Sequence, residues 1–364
     1  MQLQLHDAWF VLIAVLWTGY FFLEGFDFGI GILTRVVARN DEERGVLLAT
    51  IGPVWDGNEV WLLTAVGATF AAFPDWYATM CSGFYLPMLA VVVCLIVRGV
   101  ALEYRAKRED AAWKRTCDRC IFWSSLVCAP LWGFVFANMV HGVPIGPDRD
   151  FTGSLLDLVN PYSLLGSAVT LCLFTFHGAL YAALKTSGEL RKRSRETARR
   201  ASGFTVVFVL AFLMWTQKNS GGTSTQVLLA VVAATLILAA ELNDTGRDGW
   251  AFALSGLTVA AITATLFLAL FPAVMPSSLS PTLDLTVANS SASPHTLRIL
   301  TWVAAFMVPV VIGYQSWTYW IFRKRVDPRR APAPCGTTKP TEGEPGMTMT
   351  SDVVVRAGAN RFGR

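Results

Sequence analysis

Nine mainly apolar runs, at roughly 9–33, 57–73, 78–100, 119–140, 161–184, 202–217, 225–241, 250–272 and 296–322, are separated by shorter polar segments. A helix needs about 20 apolar residues to cross a bilayer, so each run is predicted to span a membrane. The polar segments alternate in charge. Arg35, Arg39 and Arg44 follow the first run, and Arg105, Lys107, Arg108, Lys114, Arg115 and Arg119 follow the third. Lys185, Arg191, Lys192, Arg193, Arg195, Arg199 and Arg200 follow the fifth, and Arg323, Lys324 and Arg325 the ninth. The intervening segments at 74–77, 141–160, 218–224 and 273–295 hold only Arg149 and Lys218. Basic loops stay in the cytoplasm, which predicts an outside N-terminus and a cytoplasmic C-terminus. Nine spans supply the odd number this requires. The segment at 242–249 is the weak vote, with Arg247 beside Glu241, Asp244 and Asp248.

The predicted architecture is an all-α integral membrane protein with a nine-helix domain over 1–326, packed as two four-helix bundles plus one additional helix. From Asp327 onward, Pro328, Pro332, Pro334, Pro340 and Pro345 lie among Thr, Gly and Arg. Such a segment cannot bury an apolar face, so 327–364 is expected to be a disordered cytoplasmic tail. The segment at 273–295, rich in Ser and Pro, reads as a surface loop.

Composition agrees: of 364 residues, 53% are hydrophobic and 15% charged, and mean hydropathy is +0.46. A soluble domain is excluded. Thirteen Trp suit the interfacial belt. The start, Met1 to Asp7, has no basic n-region, so the first run is kept as a span rather than a cleaved signal. The seven Cys at 81, 94, 117, 120, 128, 172 and 335 mostly stand singly in apolar runs, as small buried hydrophobes do, and suggest no disulfide framework. Walker, Rossmann and nucleophile-elbow patterns are absent, and nothing suggests a nucleic-acid partner.

The candidate chemistry lies where two runs meet acids. The first run ends with Glu24 and Asp27, and the second opens Trp55-Asp56-Gly57-Asn58-Glu59-Val60-Trp61. Intramembrane carboxylates are costly and mark proton or ion paths. Three-residue spacing puts each pair on one helix face, so packing of the two helices would bring four carboxylates together, an arrangement that holds and passes protons. The alternative is that Asp56 begins a solvated helix start near the N-cap, which leaves Glu24 and Asp27 unexplained. Arg98 and Glu103, with Tyr104 and Arg105, close the third run; they either extend a proton entry path or anchor the helix end by snorkelling.

Other constellations weigh less. Haem needs an axial His, Met or Cys, and of His6, His141, His177 and His295 only His177 lies at depth. A lone intramembrane His is more often hydrogen-bonded to a neighbouring helix, so no haem ligand, metal site or catalytic residue is expected in this chain. Cys117-Asp118-Arg119-Cys120 has CxxC spacing, but a closed zinc site needs four ligands and no second pair follows. Buried acids of this kind fit an oxidase subunit, a proton-coupled transporter or a structural partner with permanently paired acids.

Glu24-Gly25-Phe26-Asp27-Phe28-Gly29-Ile30-Gly31, Trp55-Asp56-Gly57-Asn58-Glu59-Val60-Trp61, Ser82-Gly83-Phe84-Tyr85, Arg98 with Tyr104-Arg105, His141-Gly142-Val143-Pro144 and Phe271-Pro272 resemble subunit II of the bacterial cytochrome bd-type quinol oxidases. The likeness covers about residues 10–325. It implies a multi-pass protein of the bacterial plasma membrane, paired with a similar-sized subunit I, in a terminal oxidase of aerobic respiration that oxidises quinol outside and reduces dioxygen to water with cytoplasmic protons. Electron transfer rather than pumping makes the gradient. The resemblance assigns haem b and haem d to subunit I, and to this chain a scaffold and part of a proton path, a role that would fall on Asp56, Glu24 and Asp27; Glu59, Arg98 and Glu103 are expected to extend it from their own positions. Trp55, Asn58 and Trp61 are expected at the subunit contact. A small accessory subunit, membrane lipids and a structural quinone or lipid are further partners it allows. Two departures stand out: the family pattern has Asp where this chain has Glu24, and the loop between runs six and seven, long in some members that hold a quinone-like lipid there, is short here.

Overall fold

The computed structural model describes residues 4–326; the expected tail at 327–364 lies outside them. Among the described residues, eight helices are long and apolar enough to cross a membrane: α1 (Leu5–Val36), α5 (Tyr85–Tyr104), α6 (Ala111–His141), α7 (Pro161–Lys185), α8 (Gly188–Ser220), α9 (Thr223–Asp244), α10 (Asp248–Leu270) and α11 (Pro294–Ile321). The remaining predicted span is α3 (Trp55–Ala72), 18 residues long and made less apolar by Asp56, Asn58 and Glu59. Two short helices, α2 (Asp41–Ile51) and α4 (Pro74–Gly83), complete the set.

Local chemistry explains the boundaries. Asn40 caps α2 by accepting from Glu43 N at 2.8 Å, and Asp41, Glu42 and Glu43 crowd its positive first turn. Asn160 and Ser293 cap α7 and α11, each followed by Pro at the first helical position, where its missing N–H is no loss. The expected third run, 78–100, divides at Phe84 into α4 and α5. Pro87 falls in the first turn of α5, where proline costs least; Pro130 and Pro309 lie inside α6 and α11. The basic segment expected as a loop at 185–200 is mostly helical, forming the first turns of α8.

α1 is the central helix. It packs against α3, α6, α7 and α10. One bundle comprises α1, α3, α5 and α6, the other α7 to α10, and they meet where α7 lies against α1 and α6. A side chain on Gly29 of α1 would run into the Phe174 carbonyl and Gly178 of α7, and one on Gly133 of α6 into the Gly166 carbonyl. Small residues permit this backbone approach, and dispersion rewards it in lipid. Trp17, Tyr20, Phe21, Trp132 and Phe136 fill the centre edge to face, with Trp17 and Phe136 ring centroids 4.9 Å apart. The additional helix, α11, touches α1 and α3 and buries only Leu297.

The two ends of the molecule differ. At one, Arg105 bridges Asp41 and Asp118 at 2.5 Å each, Arg193 pairs with Glu43, and Asp248 takes Arg191 at 2.8 Å and Arg325 at 3.0 Å. These pairs gather every basic segment, and the ambiguous one at 242–249, onto one face. At the opposite end, Arg149 pairs with Asp75 and donates to Asn289 O at 3.0 Å. There the 273–295 segment folds over the 142–152 loop, with β1 (Ala273–Met275) and β2 (Leu285–Thr286) forming a small antiparallel pair.

Candidate functional site

α1 buries Glu24 and Asp27 completely, one helical turn apart. Arg98 of α5 reaches Glu24. Its Nη2 donates to Glu24 and, at 2.7 Å, to Glu59 of α3, while the guanidinium lies 4.6 Å from the Phe28 ring centroid. Asp27 Oδ2 accepts from the Asn58 amide at 2.8 Å. The Asn58 carbonyl oxygen in turn accepts from Tyr319 OH at 2.8 Å and Gln315 Nε2 at 3.1 Å, both on α11. One buried network therefore joins α1, α3, α5 and α11.

Its stoichiometry matters. The network sets three carboxyl groups against one guanidinium: Arg98 pairs with Glu24 and with the partly exposed Glu59, while Asp27 has the Asn58 amide in place of a cation. A buried carboxylate without a cation is costly. Glu24 Oε2, Asp27 Oδ1 and Arg98 Nε and Nη1 are buried without a hydrogen bond among the described residues, as is Tyr20 OH one turn before Glu24. The carboxyl and hydroxyl oxygens among them have lone pairs free to accept, and the Arg98 nitrogens have protons free to donate. Asp27 stands nine residues before the end of α1, about 14 Å of helix, so the cluster lies toward the basic end.

The expected four-carboxylate face is corrected in two places. The buried stripe of α3 runs Asn58, Leu62, Ala65, Thr69, Ala72, a helical period that passes through Asn58 rather than Asp56. Glu59 sits at its edge, 22% exposed, and Asp56 is turned out. Asp56 also caps nothing: the N-cap position is Val54, with no side-chain cap bond. Glu103 lies five residues beyond Arg98, about 1.4 turns, and so points away; it is exposed and pairs with Lys107 at 2.7 Å. Trp55 lies over Gly99 of α5 and Trp61 over Gly19 of α1, locking α3 to its own neighbours. Gln315, Tyr319 and Tyr20 were not expected; their signal, polar groups at helical spacing in apolar runs, is weak.

His177 is fully buried between α1 and α10. Its Nδ1 meets Ser255 Oγ at 2.7 Å, its Nε2 meets the Phe22 carbonyl at 3.1 Å, and its ring stacks on Phe252 with centroids 4.7 Å apart. Both nitrogens are engaged and one ring face is covered, so the site does not fit an axial haem ligand. Cys117 is buried and Cys120 half-buried on α6, and among the described residues no group of His, Cys, Asp and Glu could hold a metal ion.

Fold and site together define an all-helical, multi-pass membrane protein organised around an internal carboxyl–guanidinium network. The family model "Cytochrome bd terminal oxidase subunit II" matches residues 5–322, and the chain belongs to that family. It is 43% identical over 331 residues to cytochrome bd ubiquinol oxidase subunit 2 of Bacillus subtilis, covering 89% of this chain and 97% of the relative. Against cytochrome bd-I ubiquinol oxidase subunit 2 of Escherichia coli K12 the identity is 36% over 354 residues, covering 87% and 93%. The fold matches a chain of the bd oxidase structure from Geobacillus thermodenitrificans with TM-score 0.69 at 15% identity, covering 88% of this chain and 99% of that one.

Proposed function

We propose that this chain is subunit II of a quinol oxidase that reduces dioxygen to water in the bacterial plasma membrane, where it scaffolds a haem-bearing subunit I and carries part of a path for cytoplasmic protons. The observation that carries the reading is the buried network of Glu24, Asp27, Glu59 and Arg98, which has more carboxyl groups than one cation can neutralise. Family membership favours this over a free-standing transporter. The haems supply the electron chemistry and are ligated by subunit I; the engaged nitrogens of His177 support that division.

Within the path, Asp27 and Glu24 hold protons in the interior, Arg98 keeps Glu24 and Glu59 within reach of each other, and Asn58 fixes Asp27. Asp56 exchanges protons at the chain's surface. It heads an exposed stripe of α3 that continues through Val60, Leu63 and Phe70. The parallel exposed stripe of α5, Leu89, Val92, Val93, Ile96 and Val100, completes an apolar face suited to subunit I. The N-terminus lies outside and the basic end faces the cytoplasm. A reduced-minus-oxidised visible spectrum of the purified two-subunit complex and of this chain alone tests the assignment. Haem bands in the complex and none in the isolated chain are expected; bands in the isolated chain contradict it.

A further inference from the structure

A groove of about 670 Å³ lies between α11 and the face made by α1, α7 and α10, with Gln315 and Tyr319 of the network on one of its walls. Phe22, Phe26, Trp61, Phe252 and Ile312 wall it, a surface suited to hydrocarbon. At its basic end stand two cations, Lys185 and Arg323. Lys185 is only 7% exposed. Its ammonium donates to the Phe322 carbonyl at 2.6 Å and lies 5.8 Å from the Tyr181 ring, and it forms no ion pair with a carboxylate among the described residues. Asp248, at the same end, is taken by Arg191 and Arg325 instead.

Carbonyl capping uses one of the three ammonium protons and leaves the charge uncompensated, which is costly at a buried position. Arg323 donates to Trp320 O at 2.6 Å, lies 4.6 Å from the Trp320 ring centroid, and makes no other side-chain hydrogen bond among the described residues. A guanidinium and an ammonium lining one end of a groove offer the donors and charge that a phosphate takes. The groove also explains how α11 is held. A 28-residue helix that buries one residue is held to the bundle only by limited contacts with α1 and α3 and leaves the groove open beside them.

We propose that the groove holds an acyl chain of an anionic glycerophospholipid whose phosphate sits on Lys185 and Arg323, and that this lipid packs α11 onto the bundle. Zwitterionic lipids offer the same chains but no net negative charge, so selectivity for the anionic headgroup is the signature. Each cation near the membrane surface strengthens anionic lipid binding by about five-fold.

The test uses the purified two-subunit complex, washed in detergent containing equal amounts of phosphatidylglycerol and phosphatidylcholine, with retained lipid counted by native mass spectrometry and extraction. About one phosphatidylglycerol per complex is expected to be retained in preference to phosphatidylcholine, and Arg323→Ala and Lys185→Met are each expected to lower that retention about five-fold. Ile312→Trp, which fills the groove and leaves both cations in place, should lower it as well. Arg323 and Ile312 are exposed, so their replacement leaves folding intact and the result readable even where Lys185→Met fails to assemble. Equal retention of the two lipids, retention unchanged in Arg323→Ala and Ile312→Trp, or a quinone retained in the lipid's place overturns the proposal. Bound lipid is counted independently of turnover, so failure here and failure of the proton path are distinguishable.

Discussion

Asn58 and Asp56 are two residues apart in one motif and have opposite surroundings, because two residues along a helix is somewhat more than half a turn. Asn58 is buried, donates to Asp27 and accepts from two residues of α11. Asp56 is exposed in the first turn of α3, where the helix dipole favours a carboxylate, and it makes no side-chain hydrogen bond or ion pair among the described residues. Asp56→Asn keeps shape and deletes the exchangeable proton. The variant is expected to assemble with normal haem content while quinol oxidase turnover per haem falls about 10²-fold, the contribution of a positioned proton-transfer group. A purely electrostatic role at the helix start gives a different balance, at most about 1 kcal/mol of stability with turnover unchanged.

At the scale of elements, α11 buries one residue, whereas α2 buries Val46, Leu47, Leu48, Thr50 and Ile51 and is tied at its first turn by ion pairs; single polar contacts of each can be removed. Asn58→Leu deletes both hydrogen bonds from α11, worth about 1 kcal/mol each, and leaves Asp27 without its donor. Faster amide exchange over 315–319 is expected, with α7 unaffected; unchanged exchange in α11 would show that the helix is held elsewhere. α2 is pinned by Glu43, whose carboxyl is held below its ordinary value of 4.5 chiefly by the hydrogen bond from Arg193, helped by the Arg39 N–H and opposed by partial burial. A carboxylate with a lowered folded value stabilises fully above its unfolded value, and that stabilisation is lost as pH falls through the folded one. Protection of α2 amides should therefore fall as pH drops below 4.5, and Glu43→Gln should remove that acid-dependent loss. Equal acid sensitivity in the variant would contradict the assignment.

At the scale of the whole molecule, the gathering of every basic segment onto one end gives a topological prediction: a reporter placed after Arg325 should be active only on the cytoplasmic side. Accessibility of that reporter only from outside intact cells would reverse the orientation. The long spans were legible because lipid demands long apolar runs, whatever their partners. α2 was not, since an 11-residue helix on the surface has no such run, and the break at Phe84 hides inside one. Glu24 and Asp27 could be read as buried because acids deep in an apolar stretch have no other explanation. Which polar residue of Trp55–Trp61 faces inward depended on the rotation of α3 against α1. That phase is written in the small and polar stripe from Asn58 to Ala72, and the spacing of the acids alone does not reveal it. The partnership of Arg98 with Glu24 and Glu59 is tertiary, joining three helices, and no local pattern announces it.

The central claim is that the buried network moves protons rather than merely holding helices together, and Asp27→Asn separates the two. The amide oxygen this substitution introduces can still accept from Asn58, so the network keeps its shape and loses only an exchangeable proton. In the purified two-subunit complex, quinol oxidase turnover normalised to haem should fall about 10²-fold with haem content unchanged. A fully assembled Asp27→Asn complex that turns over at the unmodified rate would contradict the account.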